Sequence, residues 1–239
     1  MDGYTYTNIF ETKGIEYIII IGFLILIIPF WLLINKKVPV GVQLKNALGV
    51  LTESILRVPA GILFSRNHTW VHMRKSGLAE TGIDDFLVHI TGDVSFKNLH
   101  TRGTSIMKGD IMADLDHNGK ILHICSPISG IIQETNSSIA GSSSAANSDP
   151  YGAGWIYRIA PSDWTGETKA LRMAGDAVDW SGMELRRFRD FMAHMTVKNS
   201  PELSMVLLQD GGELCDKPLA DLPAEVWGEF QKSFLELSD

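Results

Sequence analysis

Asn147-Ser148-Asp149-Pro150-Tyr151-Gly152-Ala153-Gly154-Trp155 lies downstream of a second turn-rich run, Ser126-Pro127-Ile128-Ser129-Gly130. The proline sets one backbone dihedral and the glycines admit left-handed or closely approached backbone. The first run therefore reads as a tight turn that delivers Trp155 into a strand, where its ring is expected to be buried. The second run reads as a strand ending in a turn, with Ile131, Ile132 and then Asn136 carrying the chain onward. Around both, short apolar segments alternate with turns. Thr69 to Met73, Phe86 to Ile90, Val94 to Leu99, Ile111 to Leu115, Ile121 to Cys125, Gly130 to Thr135 and Ile156 to Ile159 read as strands, and Gly141 to Asn147 reads as a small polar surface loop. The centre of the chain is therefore mainly β.

These residues and their spacing resemble the H protein of the glycine cleavage system, a soluble lipoyl carrier. Upstream, Asn67-His68-Thr69-Trp70-Val71 resembles that family's His-Glu-Trp strand, Gly82-Ile83-Asp84-Asp85-Phe86 its Gly-Ile-Thr segment, and Thr91-Gly92-Asp93-Val94 its Leu-Gly-Asp-Ile strand. The resemblance covers residues 64–164. It implies a two-layered, barrel-like sandwich of the lipoyl and biotinyl type, with Ser126, Pro127, Gly130, Asn136, Asp149, Pro150, Tyr151, Gly152, Gly154 and Trp155 as its structural motif residues.

The departure is at the functional tip. In the family a β-hairpin carries Glu-Ser-Val-Lys-Ala, and its lysine receives the lipoyl group. Counting back from Ser126-Pro127 aligns that stretch with Asp116-His117-Asn118-Gly119-Lys120, so Gly119 stands at the lysine position. Asn-Gly is the strongest short hairpin signal, because both central residues of a type I′ turn need positive φ. The hairpin is thus expected to survive without its modified residue. Lys120 is one position later, where side-chain alternation aims it at the other face. The bland reading of Lys120 is a solvated hairpin lysine, and the alternative is a displaced lipoylation site.

Composition narrows the function classes. The 239 residues carry a formal charge of −7 and no Lys/Arg stripe interleaved with aromatics, which argues against nucleic acid as a partner. The two cysteines, Cys125 and Cys215, form no Cys-x-x-Cys pair, so neither a disulfide framework nor a metal ribbon is encoded; Cys125 reads as a small buried hydrophobe. His117 and His123 flank the hairpin turn without the spacing of a metal site, and no metal is expected. No phosphate-binding loop, dinucleotide fingerprint or nucleophile elbow appears. No enzymatic activity is expected.

Outside the centre, residues 1–16 read as a short external amino terminus. Tyr17 to Ile34 is uncharged and long enough to span a bilayer as a helix, giving a transmembrane segment at 17–35 with Pro29 inside it. Lys36 and Lys37 follow directly, and Asp2, Glu11 and Glu16 precede it. The positive-inside rule then places the amino terminus outside and everything after it in the cytoplasm, on the inner membrane. Residues 36–63 read as an amphipathic linker helix, with Val42, Leu44, Leu48, Leu51, Ile55 and Leu56 in one stripe facing either lipid or protein. Residues 165–239 are expected to lack a counterpart in the family and to form a small α+β appendage. It comprises a helix from Met183 to Met195, a hairpin from Leu203 to Leu208 turning at Asp210-Gly211-Gly212 into Glu213-Leu214, and a final helix capped by Asp221, with Val226, Trp227, Phe230, Phe234 and Leu237 on one face.

Two functions are open at this level. In one, the chain is an unlipoylated scaffold, bolted by its helix to a membrane protein complex of respiratory or redox type and docking partners through hairpin and appendage, with no cofactor. In the other, Lys120 carries lipoate and the chain is a tethered carrier between a membrane redox complex and a soluble enzyme.

Overall fold

Alternation of apolar side chains builds two antiparallel sheets. The computed structural model describes residues 9–34, 51–97, 99–139, 144–199, 208–209, 213–214 and 216–236. The first sheet has β1 (Leu63–Phe64), β2 (Thr69–Met73), β3 (Ala79–Ile83), β9 (Tyr157–Pro161), β8 (Gly130–Thr135) and β5 (Ser105–Ile106) in that spatial order. The second has β4 (Ser95–Lys97), β6 (Ile111–His117) and β7 (Lys120–Cys125). Val71, Ala79, Ile132 and Ile159 of the first sheet and Phe96, Ala113, Leu115, Leu122 and Ile124 of the second are buried in one apolar core.

Four local expectations are corrected. Phe86 to Ile90 is helical, not extended: α2 spans Asp85–Thr91, and the Asp84 carboxylate caps it by accepting from the Leu87 N–H at 3.0 Å. That cap, together with burial of Phe86, Leu87 and Ile90 at helical spacing, outweighs the β-branched character of the run. The loop expected at 141–147 is helical in its described part, α3 (Ser144–Ser148), with Ala146 fully buried; residues 141–143 are outside the described residues. The linker stripe from Val42 to Leu48 also lies outside them. From Leu51 to Val58 the chain makes turns rather than a helix, anchored by the Leu51 N–H donating to the Leu214 carbonyl at 2.7 Å.

The fourth correction is Trp155, which is half-buried and precedes β9 instead of lying within it. Ile156 takes the inward position, and the Arg158 guanidinium stacks over the Trp155 ring at 4.2 Å. The fully buried tryptophan of this region is Trp70. Its indole N–H donates to the Pro150 carbonyl at 3.1 Å, so the turn is held from inside by a different ring.

After β9 come α4 (Trp164–Thr168) and α5 (Ala174–Asn199), a longer helix than the periodicity indicated. β10 (Leu208–Gln209) pairs with β11 (Glu213–Leu214). The strand residues expected before Leu208, the turn Asp210-Gly211-Gly212, Cys215 and Leu237 lie outside the described residues. The final helix, α6 (Ala224–Phe230), starts from Pro223 rather than from Asp221, because the ring fixes Pro223 near φ −60° and its backbone is extended. It continues as a π-helical turn, Gln231–Leu235. Leu185, Phe188 and Met192 of α5 and Val226, Trp227, Phe230 and Phe234 beyond it are buried in the same core as the sheets.

A buried ion cluster fastens α5 to the sheets. His68, at φ 57° just before β2, is fully buried, stacked on Phe86 at 4.3 Å and on Trp180 at 5.1 Å between ring centroids. Its Nδ1 is 2.8 Å from Asp84 Oδ2, while Nε2 is 3.6 Å from Glu184 Oε2, a distance for ion pairing rather than hydrogen bonding. Burial disfavours the charged ring, yet Asp84 and Glu184 together raise its pKa to about 9. His89 on α2 is similar. Burial opposes its charge, but Asp216 at 2.8 Å and Asp85 at 3.6 Å raise it to about 9.

The chain divides into two units, residues 44–239 and an amino-terminal one, residues 1–43. In the amino-terminal unit, helix α1 spans Ile9–Ile34, 26 residues and hence about 39 Å at 1.5 Å per residue. Every large apolar side chain described from Tyr17 to Trp31 is exposed. The side chains of this helix are described at Gly14 and from Tyr17 to Trp31, and among the described residues no helix is long and apolar enough to cross a membrane.

A folded pKa above the unfolded value near 6.5 means that each histidine contributes its stability in full below about pH 6.5 and loses it as pH rises through about 9. Melting of the wild-type chain should therefore weaken across this window, by about 3 kcal/mol at most for His68. His68→Gln and His89→Gln should each be less stable at neutral pH and should each flatten part of the slope; a wild-type melting profile flat between these pH values would remove the basis for both charges.

Candidate functional site

The two sequence motifs form one scaffold beneath the β8–β9 ladder. The Asp149 carboxylate accepts from the Gly152 N–H at 3.0 Å and the Ala153 N–H at 2.9 Å, which folds the turn on itself. A Cβ on Gly154 would stand 2.8 Å from Pro150 Cα, so a larger residue could not sit there without moving backbone. The Asn136 amide donates to the carbonyls of Ala153 at 2.9 Å and Trp155 at 2.7 Å, which ties the end of β8 to this turn. The Tyr151 hydroxyl donates to the Arg57 carbonyl at 2.8 Å and accepts from the Asp85 N–H at 2.9 Å; burial first, then the nearby Asp84 carboxylate, push its pKa up. At the other motif, Ser126 Oγ donates to the Ile128 carbonyl at 2.7 Å and Pro127 is buried. Gly130 passes so close to β9 that a Cβ would meet the Ala160 carbonyl at 2.2 Å.

From this scaffold β6 and β7 project as the hairpin. His117 pairs with Lys120, leaving Asn118 (φ 52°) and Gly119 (φ 87°) as a two-residue turn with positive φ at both positions. Asp116 braces it: Oδ1 accepts from the Gly119 N–H at 3.1 Å and Oδ2 pairs with Lys97 at 2.8 Å. The His117 ring is oriented by two contacts. Its Nδ1 donates to the Asp93 carbonyl at 2.7 Å, leaving Nε2 to accept from the Asn118 amide at 3.2 Å. His123 faces Asp114, with Nδ1 2.7 Å from Oδ1. Among the described residues no cluster of three metal-ligating side chains occurs. Cys125 is partly buried, and burial first, then the Glu236 and Asp110 carboxylates, raise its thiol pKa, the opposite of the shift that activates a thiol.

Lys120 is not solvated in the way the sequence suggested. Its ammonium donates to the Ala220 and Leu222 carbonyls, the latter at 3.1 Å, and lies 5.2 Å from the centroid of the Trp227 ring. The same indole stacks on His117 at 5.7 Å with 20° between the planes, and its N–H donates to the Leu219 carbonyl at 2.8 Å. Gln231 completes the contact along the edge of β7: its amide oxygen accepts from the His123 N–H at 2.9 Å and its amide nitrogen donates to the His123 carbonyl at 3.3 Å. Sequence reasoning assigned Trp227 to plain core and gave Ala220, Leu222 and Gln231 no role. Two of these partners act through main-chain carbonyls, which carry no side-chain signal.

The family model described as glycine cleavage H-protein matches residues 62–181 of the 239. The chain belongs to the glycine cleavage H-protein family. The match runs past residue 164 into the first turns of α5, so the segment from 165 to 181 does have a family counterpart. The chain is similar to the glycine cleavage system H protein of Mycobacterium tuberculosis (strain ATCC 25618 / H37Rv), with 30% identity over 127 residues that cover 52% of this chain and 95% of that protein. It is also similar to the H protein of Coprothermobacter proteolyticus, with 35% identity over 108 residues, 45% of this chain and 85% of that protein. Among solved structures, the crystal structure of a glycine cleavage system H protein from Mycobacterium marinum superposes with a TM-score of 0.47 at 24% identity, covering 52% of this chain and 99% of that one. By the family match the central domain is of the H-protein, lipoyl-carrier type.

A Cβ at 119 would meet nothing within 4 Å, so a side chain can leave the backbone there without a clash at its root, but at φ 87° any L residue is strained. Gly119→Lys should therefore fold and lose about 1 kcal/mol in urea denaturation, with an unchanged denaturant slope. A loss several times larger would mean that position 119 is packed rather than open.

Proposed function

We propose that this chain is a membrane-anchored, unlipoylated member of the H-protein family that acts by docking, as a structural subunit of a membrane protein complex and not as an enzyme. The observation that carries this reading is the hairpin tip. Gly119 stands where the family's lysine is expected, and the neighbouring Lys120 amine is engaged by two carbonyls and an indole. A lipoyl arm needs a free amine at an accessible tip, and neither residue supplies one. Without the arm the domain lacks group-transfer chemistry, and what it retains is a rigid β scaffold with an added carboxy-terminal face.

Membrane attachment through residues 17–35 rests on the uncharged run from Tyr17 to Ile34 and on the exposed apolar side chains of α1. Lys36 and Lys37 at its carboxy-terminal end favour a cytoplasmic location for the rest of the chain. The partner complex is proposed to be respiratory or otherwise redox-active, on the strength of the carrier ancestry. Nucleic acid is not a proposed partner.

The intact mass of the chain purified from its own host tests the reading. The expected mass is that of the unmodified polypeptide, and Lys120→Ala should leave complex assembly intact, whereas removal of residues 1–35 should release the chain from the membrane. A lipoyl increment on Lys120, with function lost and assembly retained in Lys120→Ala, would replace docking by the tethered-carrier reading.

A further inference from the structure

The hairpin of this domain is occupied by its own chain. Three contacts made by residues 219–231 converge on it. The Ala220 and Leu222 carbonyls hold the Lys120 ammonium, the Trp227 ring lies against both Lys120 and His117, and the Gln231 amide takes both main-chain groups of His123. The last contact is that of a neighbouring strand made by one side chain, and it satisfies the β7 edge at that residue. None of the three is a loose surface contact. Trp227 is buried and anchored by its own hydrogen bond to the Leu219 carbonyl, and Phe230 and Phe234 behind it stack at 4.7 Å within the aromatic cluster of Phe188 and Phe191. The segment is therefore built to stay in place.

We infer that residues 219–231 form an intramolecular cap on the hairpin, with Trp227 as its centre, that withholds the Lys120 amine from acyl transfer and closes the β7 edge to other strands. The inference rests on the reading of the tip as unmodified and supplies its mechanism. Acyl transfer to lysine requires the Nζ lone pair to attack a carbonyl, with loss of a proton and of the leaving group. An ammonium that donates to two carbonyls must first break both bonds and leave the indole before that lone pair is available. A ligase or a partner that addresses this hairpin must displace the cap first.

Limited acetylation of the unmodified recombinant full-length chain in detergent, with the N-hydroxysuccinimide ester of acetic acid and site-by-site mass spectrometry, tests the cap. In that reaction an amide forms on Nζ as N-hydroxysuccinimide leaves and a proton is released. Lys75 and Lys169, which are exposed, serve as internal references. Lys120 should react slower than both by about tenfold or more, the factor that one charge-assisted hydrogen bond supplies. Trp227→Ala should raise the Lys120 rate towards the references while leaving Lys75 and Lys169 unchanged. Should that variant unfold, as a uniform rise at all lysines would reveal, Gln231→Ala decides. It should speed amide hydrogen exchange at His123 and raise Lys120 acetylation at least severalfold in a folded chain. Reaction of wild-type Lys120 at the rate of the references, or protection unchanged in both variants, overturns the cap. The docking reading is decided separately by the native mass, so either idea can fail while the other stands.

Discussion

A buried imidazolium between two carboxylates holds the structure together. His68 belongs to the turn that opens β2, Asp84 caps α2, and Glu184 belongs to α5, so one charged ring joins three elements distant in sequence. A lone charge in this position would be costly, and so would an unpaired carboxylate opposite it. Each group is tolerated because the others are present. The arrangement is consequently specific for one docking of α5, with Trp180 and Phe86 closing the two faces of the ring. Arg187, paired with Glu184 at 2.9 Å, extends the cluster to the surface.

The placement of α5 determines where the carboxy-terminal helix can sit. Phe188 of α5 packs edge-on against Phe86, Phe230 and Phe234, so that last helix is seated on a surface that exists only once α5 is docked. The seat delivers Trp227 and Gln231 to the hairpin. The path from His68 to the tip is thus a chain of packing contacts, each presupposing the one before. The added carboxy-terminal part shares its core with the sheets and is not an independent appendage. In a carrier domain a hairpin tip must reach into solvent, and here apolar packing runs the other way and draws the chain's own end over it.

Two layers of organisation coexist in this domain. The inherited layer is the turn scaffold: Asp149, Asn136, Tyr151 and Ser126 satisfy main-chain groups in tight turns, and Gly130 and Gly154 are placed where a Cβ would strike neighbouring backbone. None of these contacts involves the prosthetic group, so the scaffold persists whether or not the arm does. The second layer is the carboxy-terminal cover, in which the tip residues His117 and Lys120 find partners inside the molecule.

The sequence by itself determined the family and most strands, because turn chemistry is local. Asp-Pro-Tyr-Gly-x-Gly-Trp and Ser-Pro-x-Ser-Gly announce their backbone through residue type, and Asn118-Gly119 announces a two-residue hairpin turn through the positive φ that it needs. Gly119 at the hairpin turn and the uncharged run from Tyr17 to Ile34 were equally legible. The tertiary structure decided whatever depends on groups distant along the chain. Phe86 to Ile90 became a helix because Asp84 caps it and its apolar side chains are buried at helical spacing. Trp155 gave up the core to Ile156 because Trp70 already fills the space behind the turn. Lys120 acquired partners a hundred residues away, two of them main-chain carbonyls that no side-chain pattern encodes. Hydrophobic periodicity marks Trp227 as buried, but it is silent on what buries it, and that depends on the seat prepared by α5.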